Sequence, residues 1–118
     1  MPKKPDTQKI HENFKAAVNM TAKQLQKWLD GEESKQVGQV KPGEKESIGR
    51  QSGKRIVKIL GKKKAELTEG DYAHMRKVVS YVRRHLAQEP RNIETSRWRY
   101  SLMNWGHDPV KSLLQGKR

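Results

Sequence analysis

Hydrophobic residues recur at the spacing of an α-helix in five segments of the chain. The predicted helices cover about residues 7–20, 21–30, 52–64, 69–87 and 95–105. No segment shows a convincing strand pattern of alternating apolar and polar residues. The pattern therefore predicts an all-α fold in a single small domain of about five helices.

Several predicted helix ends carry capping signals. Thr21 and Thr68 each stand three residues before a side chain that fits a capping box. Ser52 is predicted to cap the third helix. Gly31 is predicted to end the second helix in a left-handed conformation, and Gly106 can close the last one.

Residues 31–53 differ from the rest of the chain, since they hold five glycines, one proline and only three strongly apolar residues. This composition predicts a long, mobile, glycine-rich loop between the second and third helices, with a short helical turn possible near 33–37. We expect residues 1–6 to form a flexible basic arm, 7–114 the helical domain and 115–118 a basic tail.

Composition excludes several classes of protein. No run of 18 apolar residues exists, which excludes a transmembrane helix, and no apolar stretch follows the N-terminal lysines, which excludes a secretory signal. Without cysteine there is no disulfide, no thiolate nucleophile and no cysteine-ligated metal. We therefore expect a cytoplasmic protein, nucleoid-associated if bacterial, with no membrane partner.

The charge of the chain is large and unevenly placed. The 26 Lys and Arg residues exceed the 13 Asp and Glu residues, which gives a formal net charge of +13. Residues 1–49 contribute +2 of this excess, and residues 50–118 contribute +11. A basic half-chain favours a polyanionic partner, most often nucleic acid, although charge that serves only solubility is the alternative.

Cationic side chains gather on the third and fourth predicted helices. In the third helix they fill an arc separate from the apolar one, and residues 50–64 contain no acid to neutralise it. If the two helices pair across the turn at 64–68, their cations could merge into one patch that binds phosphates with little sequence preference. The candidate nucleic-acid-binding residues are Lys54, Arg55, Lys58, Lys62, Lys63, Arg76, Lys77, Arg83, Arg84, Arg97 and Arg99.

The run from Arg97 to Tyr100 has two interpretations. As a strand, it would place Trp98 and Tyr100 on one face, as a stacking platform for single-stranded RNA or DNA. As a helix, it turns Trp98 inward together with Leu102 and Trp105. The spacing of these three apolar residues favours the helix and a core position for Trp98.

The motifs of common enzymes are absent from the sequence, so we expect no catalytic residue, no cofactor and no metal. His74 and His85 would lie about 16 Å apart along one helix, too far to share an ion. His107 and Asp108 beside Trp105 form the one acid–base pair next to an aromatic residue, and a turn that ends a helix explains them as well.

Residues between about 20 and 110 also carry a set of recognisable stretches. They are Met20-Thr21, Leu25, Trp28-Leu29, Glu33-Ser34-Lys35, Val37-Gly38, Ser47-Ile48-Gly49, Ser52-Gly53, Leu67-Thr68, Asp71-Tyr72, Met75–Val78, Tyr81 and, most specifically, Trp98–Pro109. The set resembles a small family of uncharacterised bacterial and fungal proteins, catalogued as a domain of unknown function and often labelled DNA-binding. The resemblance implies the identity of the domain and supplies no catalytic residue.

Together these observations predict a non-enzymatic protein that binds nucleic acid, DNA rather than RNA, mainly through phosphate contacts. One alternative is an adaptor that recognises a protein partner through the 31–53 loop and the Trp98–Pro109 segment. Another is a single-stranded RNA binder, which would require Trp98 or Tyr100 to be exposed to solvent.

Overall fold

The structure, a computed structural model, describes residues 6–93 and 96–111, and within these ranges its regular elements are all helices, without a strand. The prediction of an all-α fold is therefore confirmed. The helices are α1 (Thr7–Ala17), α2 (Ala22–Asp30), α3 (Glu32–Lys35), α4 (Ile48–Leu60), a short 3-10 helix (Lys64–Glu66), α5 (Glu69–Leu86) and α6 (Arg97–Asn104). The predicted basic tail and residues 1–5 of the predicted arm lie outside the described residues.

Two helix pairs enclose the core, with α6 between them. Helix α5 packs along α1, and α4 packs along α2, while α6 contacts α2, α3, α4 and α5. Helices α1, α2, α4, α5 and α6 each contribute apolar side chains to one continuous cluster. The most deeply buried apolar side chains in this cluster are Phe14, Leu25, Leu29, Ile56, Met75, Val78, Val82 and Leu102.

The predicted capping boxes form as expected. The Thr21 hydroxyl accepts from the N–H of Gln24 at 3.1 Å, and the Gln24 side chain accepts from the N–H of Thr21 at 2.9 Å. Thr68 and Asp71 repeat this exchange at the start of α5, at 3.1 and 3.0 Å. Both pairs satisfy N–H groups that have no partner within the helix.

The predicted left-handed conformation of Gly31 is wrong. Its φ and ψ angles are −85° and 163°, which is extended backbone. The reason is that α3 begins at the next residue, so Gly31 ends one helix and starts another. Gly106, in contrast, follows α6 with φ of +83°, the left-handed geometry that favours glycine.

The predicted start of α4 at Ser52 is also wrong. The helix begins at Ile48, where the Ser47 hydroxyl accepts from the N–H of Arg50 at 3.2 Å, and Ser52 is buried inside the helix. The glycine-rich loop is therefore shorter than the predicted 31–53 and connects α3 to α4. Gly53 allows α4 to pack closely against the end of α6, because a Cβ atom there would lie 2.5 Å from the carbonyl oxygen of Asn104.

The segment after α6 folds back onto the connection between α1 and α2. The Gly106 carbonyl accepts from the backbone N–H groups of Asn19 and Met20, at 3.1 and 3.3 Å. His107 donates from Nδ1 to the carbonyl of Ala17 at 2.7 Å, and the side chain of Asn19 bonds both the N–H and the carbonyl of Asp108. These contacts give the distinctive Trp98–Pro109 block a structural role.

Five rings form a ladder between α5 and α6. Trp105 stacks on Tyr81 at 4.2 Å between centroids, with His74 on its other side at 6.3 Å. Tyr81 continues to His85 at 5.1 Å, and His85 to Trp98 at 6.3 Å. Trp98 is buried and its indole N–H donates to the His85 carbonyl at 2.6 Å, which confirms its predicted core position.

One buried and two partly buried histidines predict that acid will destabilise the fold. Desolvation by burial is the main cause that lowers the pKa of His74, His85 and His107 below the ordinary value of 6.5. The unfolded chain therefore binds more protons than the folded one as the pH falls below 6.5. We expect the free energy of unfolding, measured with urea, to fall between about pH 7.5 and about pH 5.5. NMR titration of the imidazole signals checks the cause, and native pKa values above 6.5 would contradict it.

No helix in the described ranges is long and apolar enough to cross a membrane.

Candidate nucleic-acid interface

Lys54, Arg55 and Lys58 of α4 are exposed and Arg50 is largely buried, and several of these cations form ion pairs with carboxylates. Lys54 forms an ion pair with Glu46 through Nζ and Oε1 at 2.6 Å, and Arg50 approaches the other oxygen of Glu46 at 3.3 Å. The Lys54 hydrogen bond is the main cause that lowers the pKa of Glu46. Lys58 has no carboxylate within 4.0 Å among the described residues.

Asp71 joins α4 to the first turn of α5. Lys62 donates from Nζ to its Oδ2 at 2.6 Å, and a guanidinium nitrogen of Arg55 lies 3.6 Å from its Oδ1. The Lys62 hydrogen bond, followed by that from the Thr68 N–H, lowers the pKa of Asp71 to about 2. The carboxylate is 6% exposed and stays ionised at neutral pH, so it holds both cations at the helix junction.

These pairs neutralise part of the charge that the 50–64 segment leaves without an acid of its own. The carboxylates come from positions 46 and 71, outside the 50–64 segment in which the sequence shows no acid. Glu46 faces two cations and Asp71 faces two, so each group keeps a net charge of +1. The α4 surface remains positive, but less so than the sequence predicts.

The outer face of α5 carries the larger free charge. Its cations are exposed, and none has a carboxylate within 4.0 Å among the described residues. They are Arg76, Lys77, Arg83 and Arg84. At 100° per residue they border both sides of a strip formed by the small exposed residues Ala73 and Ser80. A phosphate backbone can approach such a strip closely.

The cations of α4 and those of α5, which were predicted to merge into one patch, approach each other at one point. Arg55 and Lys77 both lie near enough to His74 to lower the pKa of its imidazole, after the larger effect of burial. Helix α5 packs far more extensively on α1 than on α4, because its apolar stripe faces α1. The α4 cations therefore extend only the amino-terminal end of the α5 face.

Of the two candidate nucleic-acid-binding residues on α6, one is exposed and the other forms an ion pair. Arg97 is exposed, whereas Arg99 forms a two-pronged ion pair with Asp108 at 3.1 and 3.2 Å. Tyr100 is half-buried against Trp28, with ring centroids 5.4 Å apart. With Trp98 inside the core, this segment does not present the stacking platform of the strand interpretation.

Lys63 is exposed in the connection that follows α4, and its backbone N–H donates to Glu66 at 2.8 Å.

Within residues 6–93 and 96–111 there is no group of three or more His, Asp or Glu side chains placed to hold a metal ion. His107 and Asp108, the one acid–base pair next to an aromatic residue, are both engaged, the imidazole with Ala17 and the carboxylate with Arg99. The arrangement is best suited to hold anions by charge.

Sequence reasoning missed Glu46, Asp71 and two further residues beside the α5 face, Gly49 and Trp105. Gly49 looked like part of a loop, and the helical spacing assigned Trp105 only to the core. Both line a pocket with Lys77 and Arg84. No signal in the sequence indicates that pocket, because it forms where four separate segments meet.

Comparison with known proteins gives one match. Residues 13–103 match the model of a family described as a protein of unknown function (DUF3140). No curated protein and no solved structure matches the chain.

Proposed function

We propose that this chain, which belongs to the DUF3140 family of proteins of unknown function, is a non-enzymatic cytoplasmic protein that binds duplex DNA through its phosphates. The observation that carries the proposal is the outer face of α5. Four exposed cations without carboxylate partners among the described residues lie there on one face of an 18-residue helix. The proposed interface is this α5 face, extended at its amino-terminal end by the α4 cations.

The physics of such a face is that of counterion release. Each Lys or Arg that neutralises a phosphate frees a condensed cation from the DNA, so affinity falls steeply as salt is added. The α5 face offers no Asn or Gln for paired hydrogen bonds to adenine. We therefore expect binding with low sequence specificity.

The interior position of Trp98 favours duplex over single-stranded nucleic acid. Binders of single strands stack bases on exposed aromatic rings. Trp98 is 8% exposed and Tyr100 is covered in part by Trp28. A rigid helix with cations on both sides of a narrow strip suits the regular phosphates of a duplex.

Neutralising the α5 face should weaken DNA binding and its dependence on salt. We expect the variant R76Q/K77Q/R83Q/R84Q to bind less tightly, by a similar factor for unrelated sequences. The slope of log K against log salt should flatten by up to about 3.6, at about 0.9 for each lost phosphate contact. Fluorescence anisotropy with a labelled duplex over a salt series measures both quantities.

The matched control removes the same charge elsewhere. Lys9, Lys15, Lys23 and Lys27 are exposed on α1 and α2, and their replacement by glutamine lowers the net charge equally. This variant should keep most of the slope of the original protein. Equal losses in the two variants would show that net charge alone attracts DNA, and an unchanged slope in the α5 variant would refute the proposal.

A further inference from the structure

A pocket of about 340 Å³ lies beside the α5 face, where four segments meet. The amino-terminal end of α4 forms one wall, and the carboxy-terminal end of α6 forms another. Lys77, Tyr81 and Arg84 of α5 form the third, and the loop residues Gly38 and Gln39 form the fourth. The volume lies within the range of about 300–1,000 Å³ that is typical of small-molecule sites.

An indole N–H in this pocket, that of Trp105, has no hydrogen-bond partner in the part of the chain that the structure describes. Trp105 is 4% exposed, and its Nε1 makes no hydrogen bond with any described residue, whereas the other two indoles in the protein do. Nε1 lies directly beside Gly49, since a Cβ atom on Gly49 would be 3.1 Å from it. This N–H is therefore free to donate a hydrogen bond to a ligand that enters the pocket.

The α4 end adds a second source of donors. The Ser47 hydroxyl satisfies the N–H of Arg50, and the N–H of Ile48 donates to the Gln39 carbonyl at 3.0 Å. The N–H of Gly49 has no hydrogen-bond partner among the described residues. The amino-terminal end of this 13-residue helix also carries a partial positive charge, which favours an anion.

The charge of the pocket agrees with its donors. Lys77 and Arg84 stand on one side of it without carboxylate partners among the described residues, and none of its described lining residues is acidic. Two cations, an indole N–H and a helix N-terminus thus surround one space. We propose that this pocket binds a phosphate group, with the Trp105 indole N–H as a hydrogen-bond donor to a phosphate oxygen.

The three tryptophans provide a direct test of the pocket. Titration with inorganic phosphate at constant ionic strength, followed by the indole N–H signals in NMR, should move the Trp105 signal in a saturable way. The signals of Trp28 and Trp98 should stay in place, because their N–H groups already donate to Asn104 and His85. A Trp105 signal that does not move, or that moves equally with sodium chloride, would overturn the proposal.

Adjacent residues of α5 supply a matched pair of variants. K77Q/R84Q removes the two cations of the pocket, and we expect the affinity for phosphate to fall by at least about tenfold. R76Q/R83Q removes the same charge one residue earlier in each case, outside this pocket, and should change the affinity less than about twofold. Equal effects of the two variants would overturn the assignment of phosphate to this pocket.

Two sources could supply the phosphate, and a second titration separates them. If duplex DNA moves the same Trp105 signal and inorganic phosphate competes with it, the ligand is a phosphate of the DNA backbone. If inorganic phosphate moves the signal and DNA does not, the ligand is a free phosphate compound. The phosphate titration contains no DNA, so its failure is distinct from a failure of the proposed DNA interface.

Discussion

G53A is expected to destabilise the domain by about 2 kcal/mol, although it places a good helix former inside a helix. A Cβ atom on Gly53 would lie 2.5 Å from the carbonyl oxygen of Asn104 and 2.9 Å from a methyl group of Leu29. The carbonyl belongs to the backbone of α6 and cannot turn away. Overpacking of this kind costs up to about 3 kcal/mol, from which the gain in helix propensity removes about 1 kcal/mol.

Gly61 provides the control for this prediction. It follows α4 with φ of −82°, and a Cβ atom there would lie at ordinary distances, 3.6 and 3.7 Å, from its nearest neighbours. G61A should leave the free energy of unfolding unchanged or raise it by up to about 1 kcal/mol. Urea denaturation measures both variants, and a G53A protein as stable as G61A would contradict the close approach of α4 to α6.

N104A should cost more, about 3–5 kcal/mol in the free energy of unfolding. The Asn104 side chain is fully buried and accepts from the Trp28 indole at 2.8 Å and from the Ser34 hydroxyl at 2.5 Å. Its amide also donates to the Ser34 carbonyl at 3.2 Å. Alanine would leave these groups unpaired in the core, at about 1–3 kcal/mol each and without simple additivity.

The loss should extend across helices, because Arg50 of α4 donates to the Ser34 hydroxyl at 2.9 Å and to the Leu29 carbonyl at 2.6 Å. Urea denaturation measures the stability, and the Trp28 indole signal in NMR reports the missing acceptor. N92A, at an exposed position, is the matched control and should change stability by less than about 0.5 kcal/mol. A loss from N104A no larger than that of N92A would contradict the network.

Helices were predictable from the sequence where a local rule decides the structure. The Thr21 and Thr68 capping boxes and the apolar stripe of α5 depend on residues three or four positions apart, and their predictions are confirmed. Glycines misled the prediction of the loop, because a glycine required for a turn and one required for helix packing look alike in sequence. Gly53 belongs to the second kind, and its partner carbonyl is 51 positions away at Asn104.

The candidate interface was predictable in composition but not in arrangement. The sequence indicated which segments are basic, and the exposure of Arg76, Lys77, Arg83 and Arg84 follows from the same helical pattern as the core. It gave no information about Glu46 and Asp71, which reach α4 from outside it. Ion pairs between distant segments depend on tertiary packing, which local patterns do not encode.

The docking of residues 106–108 onto residues 17–20 has a consequence for biosynthesis. The partners are separated by about 90 positions, as in the contact between His107 and Ala17. Contacts of such long range close late, after most of the chain is available. On the ribosome, the α1–α2 connection therefore remains without its contacts to residues 106–108 until the end of α6 has emerged from the exit tunnel.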